Sequence, residues 1–213
     1  MGTRCSHAYY EDEFSLCSSF SSFQRIENIK HSLPIEADSF CAGAVNGVVC
    51  LYNHDDLYRN ITYNIILWNP LIDRHLKLPT PLFSYEEFSY FHEVRLGFGF
   101  DSKKNDFKVV RIFSYLEGLL LLPKVELYSL NEGAWRVIDY DASHGLLRQD
   151  ILDTTPCFFN GNVHWISYDK YGIYDYLLIF NMVEEKFKRM ELPDEVNECT
   201  FLDVSVMKIV SLL

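Results

Sequence analysis

Apolar and polar positions in this chain alternate over short distances. Long amphipathic stretches are missing. Runs of four to seven residues rich in Val, Ile, Leu, Phe, Tyr and Trp are divided by Asn, Gly, Asp and Pro, the pattern of short strands joined by turns. A helical period shows in one place, where Phe23, Ile26 and Ile29 predict a short helix over 23–29.

One strand–turn–strand pattern occurs three times. Ile65-Ile66-Leu67-Trp68-Asn69-Pro70 is followed by Leu76-Lys77-Leu78-Pro79. Val125-Glu126-Leu127-Tyr128-Ser129-Leu130 is followed by Trp135-Arg136-Val137-Ile138. Leu177-Leu178-Ile179-Phe180-Asn181-Met182 is followed by Phe187-Lys188-Arg189-Met190 and Leu192-Pro193. Each copy is an apolar strand ending in an aromatic–polar pair, then a polar turn, then a strand mixing apolar and charged residues. The turns are expected at 71–74, 131–133 and 183–185.

A second hairpin precedes each copy. The first spans Gly43 to Tyr52 and turns near Asn46-Gly47; the second spans Leu96 to Phe113 and turns at 102–105; the third spans Cys157 to Ser167 and turns at Asn160-Gly161. Asn-Gly is the strongest two-residue hairpin signal, because both positions tolerate positive φ. Four antiparallel strands per unit describe a propeller blade. The expected fold is all-β, an incomplete β-propeller of about three four-stranded blades. A β-sandwich with chance similarity between hairpins fits the threefold spacing less well.

Composition narrows the function. Aromatic residues are 15% and hydrophobic residues 48%, far from the makeup of a disordered chain. The net charge of -11 argues against nucleic-acid binding, which needs clustered Lys and Arg. No apolar run reaches the length of a transmembrane helix, so no membrane span is expected. The six cysteines form no C-x-x-C pair and no zinc spacing, and they read as free thiols of a cytoplasmic or nuclear protein. Met1-Gly2-Thr3-Arg4-Cys5-Ser6 fits a loose acylation pattern.

No catalytic, cofactor or metal residues are expected. There is no G-x-S-x-G elbow, P-loop or H-E-x-x-H. Ser143-His144 are adjacent and do not face one another. His164 sits in a strand and reads as a packed or hydrogen-bonded histidine. Gly97-Phe98-Gly99 suits close strand packing near a propeller axis better than a phosphate loop.

The ordered segments Asn46-Gly47-Val48-Val49-Cys50-Leu51, Ile66-Leu67-Trp68-Asn69-Pro70, Gly97-Phe98-Gly99-Phe100-Asp101, Asn105-Asp106-Phe107-Lys108-Val109-Val110-Arg111, Val125-Glu126-Leu127-Tyr128 and Phe159-Asn160-Gly161-Asn162-Val163-His164-Trp165 resemble the kelch-like F-box-associated interaction domain of plant F-box proteins, the S-locus F-box proteins among them. The resemblance implies the substrate-recognition part of a Skp–cullin–F-box ubiquitin ligase receptor. It divides the chain into 1–34, a linker with a first strand or short helix after a missing F-box; 35–200, the domain itself; and 201–213, the truncated start of a further strand. It implies that the Skp adaptor binds only if an F-box is supplied upstream. Other readings are a glycan-binding propeller and a non-functional truncated gene product.

In a four-stranded antiparallel blade, the first and third turns share one end and the remaining connections share the other. The latter are long here: 53–61, 80–93, 114–122, 139–154 and 168–176. They hold twelve acidic residues against three basic ones, a balance of -9 within the chain's -11. Asp55, Asp56, Phe83, Tyr85, Glu86, Glu87, Tyr90, Phe91, Tyr115, Tyr171 and Tyr174 are therefore the candidate partner-binding residues. Aromatic rings anchor an interface while carboxylates steer a basic protein partner.

Overall fold

The computed structural model describes residues 15–17, 25–28, 39–55, 62–83, 92–115, 123–140, 151–152, 156–168 and 174–192. Every regular element among them is a strand. β1 (Ser15–Cys17) and β2 (Arg25–Asn28) form a small antiparallel pair. The helix expected over 23–29 is thus not formed at its centre. Arg25–Asn28 pairs instead with Ser15–Cys17, with Leu16 opposite Glu27 and a register shift between Leu16 and Cys17 that passes over Ile26.

The remaining strands build three antiparallel sheets. The first is β3 (Phe40–Val45), β4 (Val48–Asp55), β5 (Thr62–Asn69) and β6 (Arg74–Lys77). The second is β7 (His92–Asp101), β8 (Asp106–Tyr115), β9 (Lys124–Ser129) and β10 (Ala134–Val137). The third contains β11 (Ile151–Leu152), β12 (Cys157–Phe159), β13 (Asn162–Tyr168), β14 (Tyr174–Asn181) and β15 (Lys186–Glu191). β11 and β12 both pair with the same edge of β13, so together they make one interrupted first strand. Strand order follows chain order in each sheet, the meander of a propeller blade.

The turns explain why the hairpins form where they do. Asn46-Gly47 and Asn160-Gly161 take φ values of 51° and 80°, and of 48° and 76°, as a type I′ turn demands. The three repeated turns occupy 70–73, 130–133 and 182–185, each closing on a left-handed residue: Asp73, Gly133 or Glu185. The polar member of each aromatic–polar pair caps the turn with its side chain. Asn69 Oδ1 accepts from the Leu71 amide at 3.1 Å, Ser129 Oγ from the Glu132 amide at 3.2 Å, and Asn181 Oδ1 from the amides of Val183 at 2.9 Å and Glu184 at 2.7 Å. The aromatic member faces its cross-strand partner. Tyr128 meets Trp135 at 5.4 Å between ring centroids, and Phe180 meets Phe187 at 4.7 Å.

Both faces of the middle strands are buried, which is why Val109-Val110-Arg111-Ile112-Phe113 reads as a continuous run. Val109 and Phe113 pack towards the first sheet with Cys50, Tyr52, Ile65 and Leu67. Val110 and Ile112 pack towards the third with Trp165, Leu178 and Phe180. The innermost strands come close where side chains are missing. A Cβ at Gly97 would stand 2.7 Å from Val163 Cγ1, and one at Gly99 would stand 2.7 Å from Phe158. The two glycines therefore let β7 lie against the third sheet.

Candidate functional site

The contacts between sheets fix which ends lie together. Gly43, close to the β3–β4 turn, lies against Phe98, close to the β7–β8 turn. Gly99 lies against Phe158 and Met182, beside the two turns of the third sheet. All the short turns therefore gather at one end of the molecule. The strand ends bordering the long connections gather at the other.

Of the candidate partner residues, Asp55 ends β4, Tyr115 ends β8 and Tyr174 begins β14. These three stand on strands and not in the loops assigned to them; all are at the long-connection end. Glu93 and Ile151-Leu152 are likewise strand residues. Pairing with neighbouring strands carries each sheet two to three residues further than the polar composition of the connections suggests. Asp56, Tyr85, Glu86, Glu87, Tyr90, Phe91 and Tyr171 lie outside the described residues, as do Ser143-His144 and the Gly2 acylation pattern.

Phe83 is described in detail. It ends a segment, 78–83, that leads from the first sheet to the second, and four side chains of the second sheet hold that segment. Trp135 Nε1 donates to the Pro79 carbonyl at 2.8 Å. Glu126 Oε2 accepts from the Leu82 amide at 2.8 Å. Arg111 Nη1 donates to the Phe83 carbonyl at 2.9 Å, and Lys124 Nζ lies 4.8 Å from the Phe83 ring centroid. Arg111 and Glu126 are cross-strand neighbours on β8 and β9, both buried, and joined by an ion pair. Each also makes a hydrogen bond to the backbone of the 78–83 segment. The root of the connection that bears Phe83 is thereby positioned by a buried charge pair.

A second charged group ties the second sheet to the third at the short-turn end. Lys108 Nζ is surrounded by Asp101 Oδ2 at 2.6 Å, the Met182 carbonyl at 2.8 Å and Glu185 Oε1 at 2.8 Å, which accounts for its three protons. Glu185 also accepts from Arg136 at 2.5 Å. Asp101 accepts the Lys103 and Lys104 amides at 2.9 and 3.1 Å and so caps its own turn. Burial works against the charge on Asp101, but Lys108 and the turn amides outweigh it and lower its carboxyl pKa. Glu185 is lowered in the same way, with Lys108 and Arg136 prevailing over burial. Lys108 is raised, because its two carboxylates outweigh its own burial.

Sequence reasoning did not single out these two groups as ion pairs. The signal was present: Lys108, Arg111 and Glu126 interrupt otherwise apolar strands, where a charge survives only if it is paired. His164 behaves as expected of a packed histidine. Its Nδ1 donates to the Cys157 carbonyl at 3.2 Å, and burial lowers its pKa despite that bond. Tyr140 donates to the Pro123 carbonyl at 2.6 Å, and burial pushes its hydroxyl up to about 12. Among the described residues no group of three or more His, Cys, Asp or Glu is placed to hold a metal, and no helix is long and apolar enough to cross a membrane.

Comparison with known proteins agrees with the repeat architecture. The family model described as the F-box associated beta propeller domain matches residues 12–211. Relatives in Arabidopsis thaliana include an F-box/kelch-repeat protein, 27% identical over 142 residues; these are 64% of this chain and 34% of that protein. An F-box/LRR-repeat/kelch-repeat protein is 29% identical over 107 residues, 50% of this chain and 28% of that protein. An F-box protein is 29% identical over 130 residues, 60% of this chain and 33% of that protein. The match therefore spans about a third of the length of these relatives. With three meander sheets stacked in sequence and the family model matched over nearly the whole chain, this protein belongs to the F-box-associated β-propeller domain family.

Proposed function

We propose that this chain is a protein-interaction module, the substrate-recognition part of a Skp–cullin–F-box type receptor, working in the cytoplasm or nucleus without catalytic chemistry of its own. The observation that carries this reading is the family match over residues 12–211, in relatives named as F-box proteins. The partner surface is the long-connection end, where Asp55, Tyr115, Tyr174 and the root of the Phe83 connection converge. Its partner is a basic protein. Twelve carboxylates in the long connections and on the strand ends that border them supply steering, and the aromatic residues among them supply anchors.

The test has two arms. Joining an F-box ahead of Met1 should confer capture of the Skp adaptor, which the chain by itself should not bind. Surface plasmon resonance against basic proteins, ribonucleases included, and acidic proteins of matched size should show binding of basic ones that weakens with salt. Replacing Asp55, Asp56, Glu86 and Glu87 with Lys should abolish that binding. Equal binding of the fourfold variant would refute the acidic surface. Strong Skp capture by the unmodified chain would refute the division of labour.

A further inference from the structure

We propose that the free edge of β6 takes up, as an added strand, an extended segment of an acidic protein partner in which carboxylate and apolar side chains alternate. The inference is independent of the partner-binding reading, which concerns the long-connection end. The repeat supplies an internal control. The pairs Trp68-Asn69, Tyr128-Ser129 and Phe180-Asn181 hold the same place in the three sheets. Leu71, Ile72 and Leu76 of the first sheet therefore correspond to Asn131, Glu132 and Arg136 of the second, and to Val183, Glu184 and Lys188 of the third. Arg136 is committed to Glu185 of the third sheet. Leu71, Ile72 and Leu76 are instead 58%, 65% and 45% exposed. Among the described residues, no other hairpin holds so many large apolar side chains in water.

The same hairpin leaves backbone groups open. Among the described strands β6 pairs with β5 alone, and all its side chains are exposed. Leu78, opposite Ile65 in the continued register, donates its amide to the Ile65 carbonyl at 2.9 Å. Antiparallel strands alternate bonded and non-bonded pairs. Leu76–Leu67 and Arg74–Asn69 are therefore bonded pairs, and the amides and carbonyls of His75 and Lys77 point away from β5 towards the open edge. Such a row of groups is a template for another strand.

Charge and pattern select the occupant. Arg74 and Lys77 outnumber Asp73 on the hairpin, which makes it a basic edge in a chain of net charge -11. Pairing two β6 edges would bring those cations together, so the edge repels a second copy of itself. Successive side chains of a strand point to opposite faces. Leu76 shares a face with Leu67, its cross-strand neighbour, while His75 and Lys77 lie on the other face. An added strand with apolar residues on the Leu76 face and carboxylates on the Lys77 face matches both. Leu71 and Ile72 offer it a further apolar contact at the turn.

Fluorescence anisotropy of the full chain with a labelled octapeptide alternating Glu with Val tests this. The parent should bind that peptide, less tightly as salt is raised. It should bind an octapeptide alternating Lys with Val at least about tenfold more weakly, because like charges then face each other. Arg74→Glu and Lys77→Glu made together should reverse that order. Lys77→Pro should abolish binding of either peptide. Proline suits an edge position whose amide faces solvent, so the bonds to β5 survive while the outward donor is lost. With the Glu–Val peptide bound, hydrogen–deuterium exchange should slow at the His75 and Lys77 amides and stay unchanged at Leu76. A cooperatively melting parent that ignores the Glu–Val peptide would overturn the proposal, as would binding that survives both variants. Capture by anionic phospholipid vesicles in place of the peptide, or a dimer in gel filtration that Lys77→Pro dissolves, would overturn it too.

Discussion

Replacing Lys108 with Met removes the cation that holds the second sheet to the third. Methionine fills nearly the same volume, so the packing loss is small and the electrostatic loss dominates. Asp101, 0% exposed, would keep only the Lys103 and Lys104 amides. Glu185 would keep Arg136, and the Met182 carbonyl would lose a donor. Breaking one side of a buried ion pair costs roughly 3–5 kcal/mol, because a desolvated charge is left uncompensated. For a domain of this size that is about 6–20 °C in Tm. Urea unfolding followed by tryptophan fluorescence measures it, as a fall in midpoint at constant slope. The direction with pH is also fixed. In the parent, Asp101 and Glu185 are lowered from 3.8 and 4.5, so their contribution is complete above those values and is lost as pH falls through the lower native ones. Lys108 is raised from 10.5, so its contribution is complete below that value and is lost as pH rises through the native one. In the Met variant Asp101 loses its main counter-charge and its pKa rises. The penalty should then shrink as the variant is acidified. An unfolding free energy within about 1 kcal/mol of the parent at pH 7, or a penalty that grows on acidification, would refute the inter-sheet role assigned to Lys108.

Other consequences follow from single contacts. Gly97→Ala would drive a methyl into Val163 Cγ1 at 2.7 Å and into the Trp165 ring, costing roughly 1–3 kcal/mol, whereas Gly133→Ala meets nothing within 4 Å and should cost only the strain of its φ of 64°, about 1 kcal/mol; thermal melts of the two variants check the order. Arg111→Met should strand the Glu126 carboxylate, lower stability by roughly 3–5 kcal/mol, and speed amide exchange at Leu82, read by hydrogen–deuterium exchange. Asn160→Val places a β-branched residue at a φ of 48°, and a melt should show a loss of about 1–2 kcal/mol.

Much of the sheet pattern was legible locally. The hairpins at Asn46-Gly47 and Asn160-Gly161 follow from residues that accept positive φ, and the three later hairpins follow from a polar residue that caps its own turn. Such signals act within a few residues, so they survive without tertiary context. The segment 25–28 shows the limit. Ile26 fits a period of three as well as a period of two, and only pairing with Ser15–Cys17 selected the strand. The same applies to Asp55, Tyr115 and Tyr174, whose polar surroundings suggested loops until neighbouring strands supplied hydrogen-bond partners. The acidic character of the connections was visible in composition; the fixing of Phe83 from Arg111, Glu126 and Lys124 was not.

The amino-acid sequence alone determined the strand units, their turns and their threefold recurrence, because each depends on backbone preferences and side chains a few positions apart. The tertiary structure decided which faces of those units meet and what becomes of the charges inside them. Lys108 and Glu185 are 77 residues apart, and Gly97 meets Trp165 across two sheets. No local preference encodes such contacts. They arise when apolar strands, buried on both sides, stack so that every enclosed charge reaches a partner.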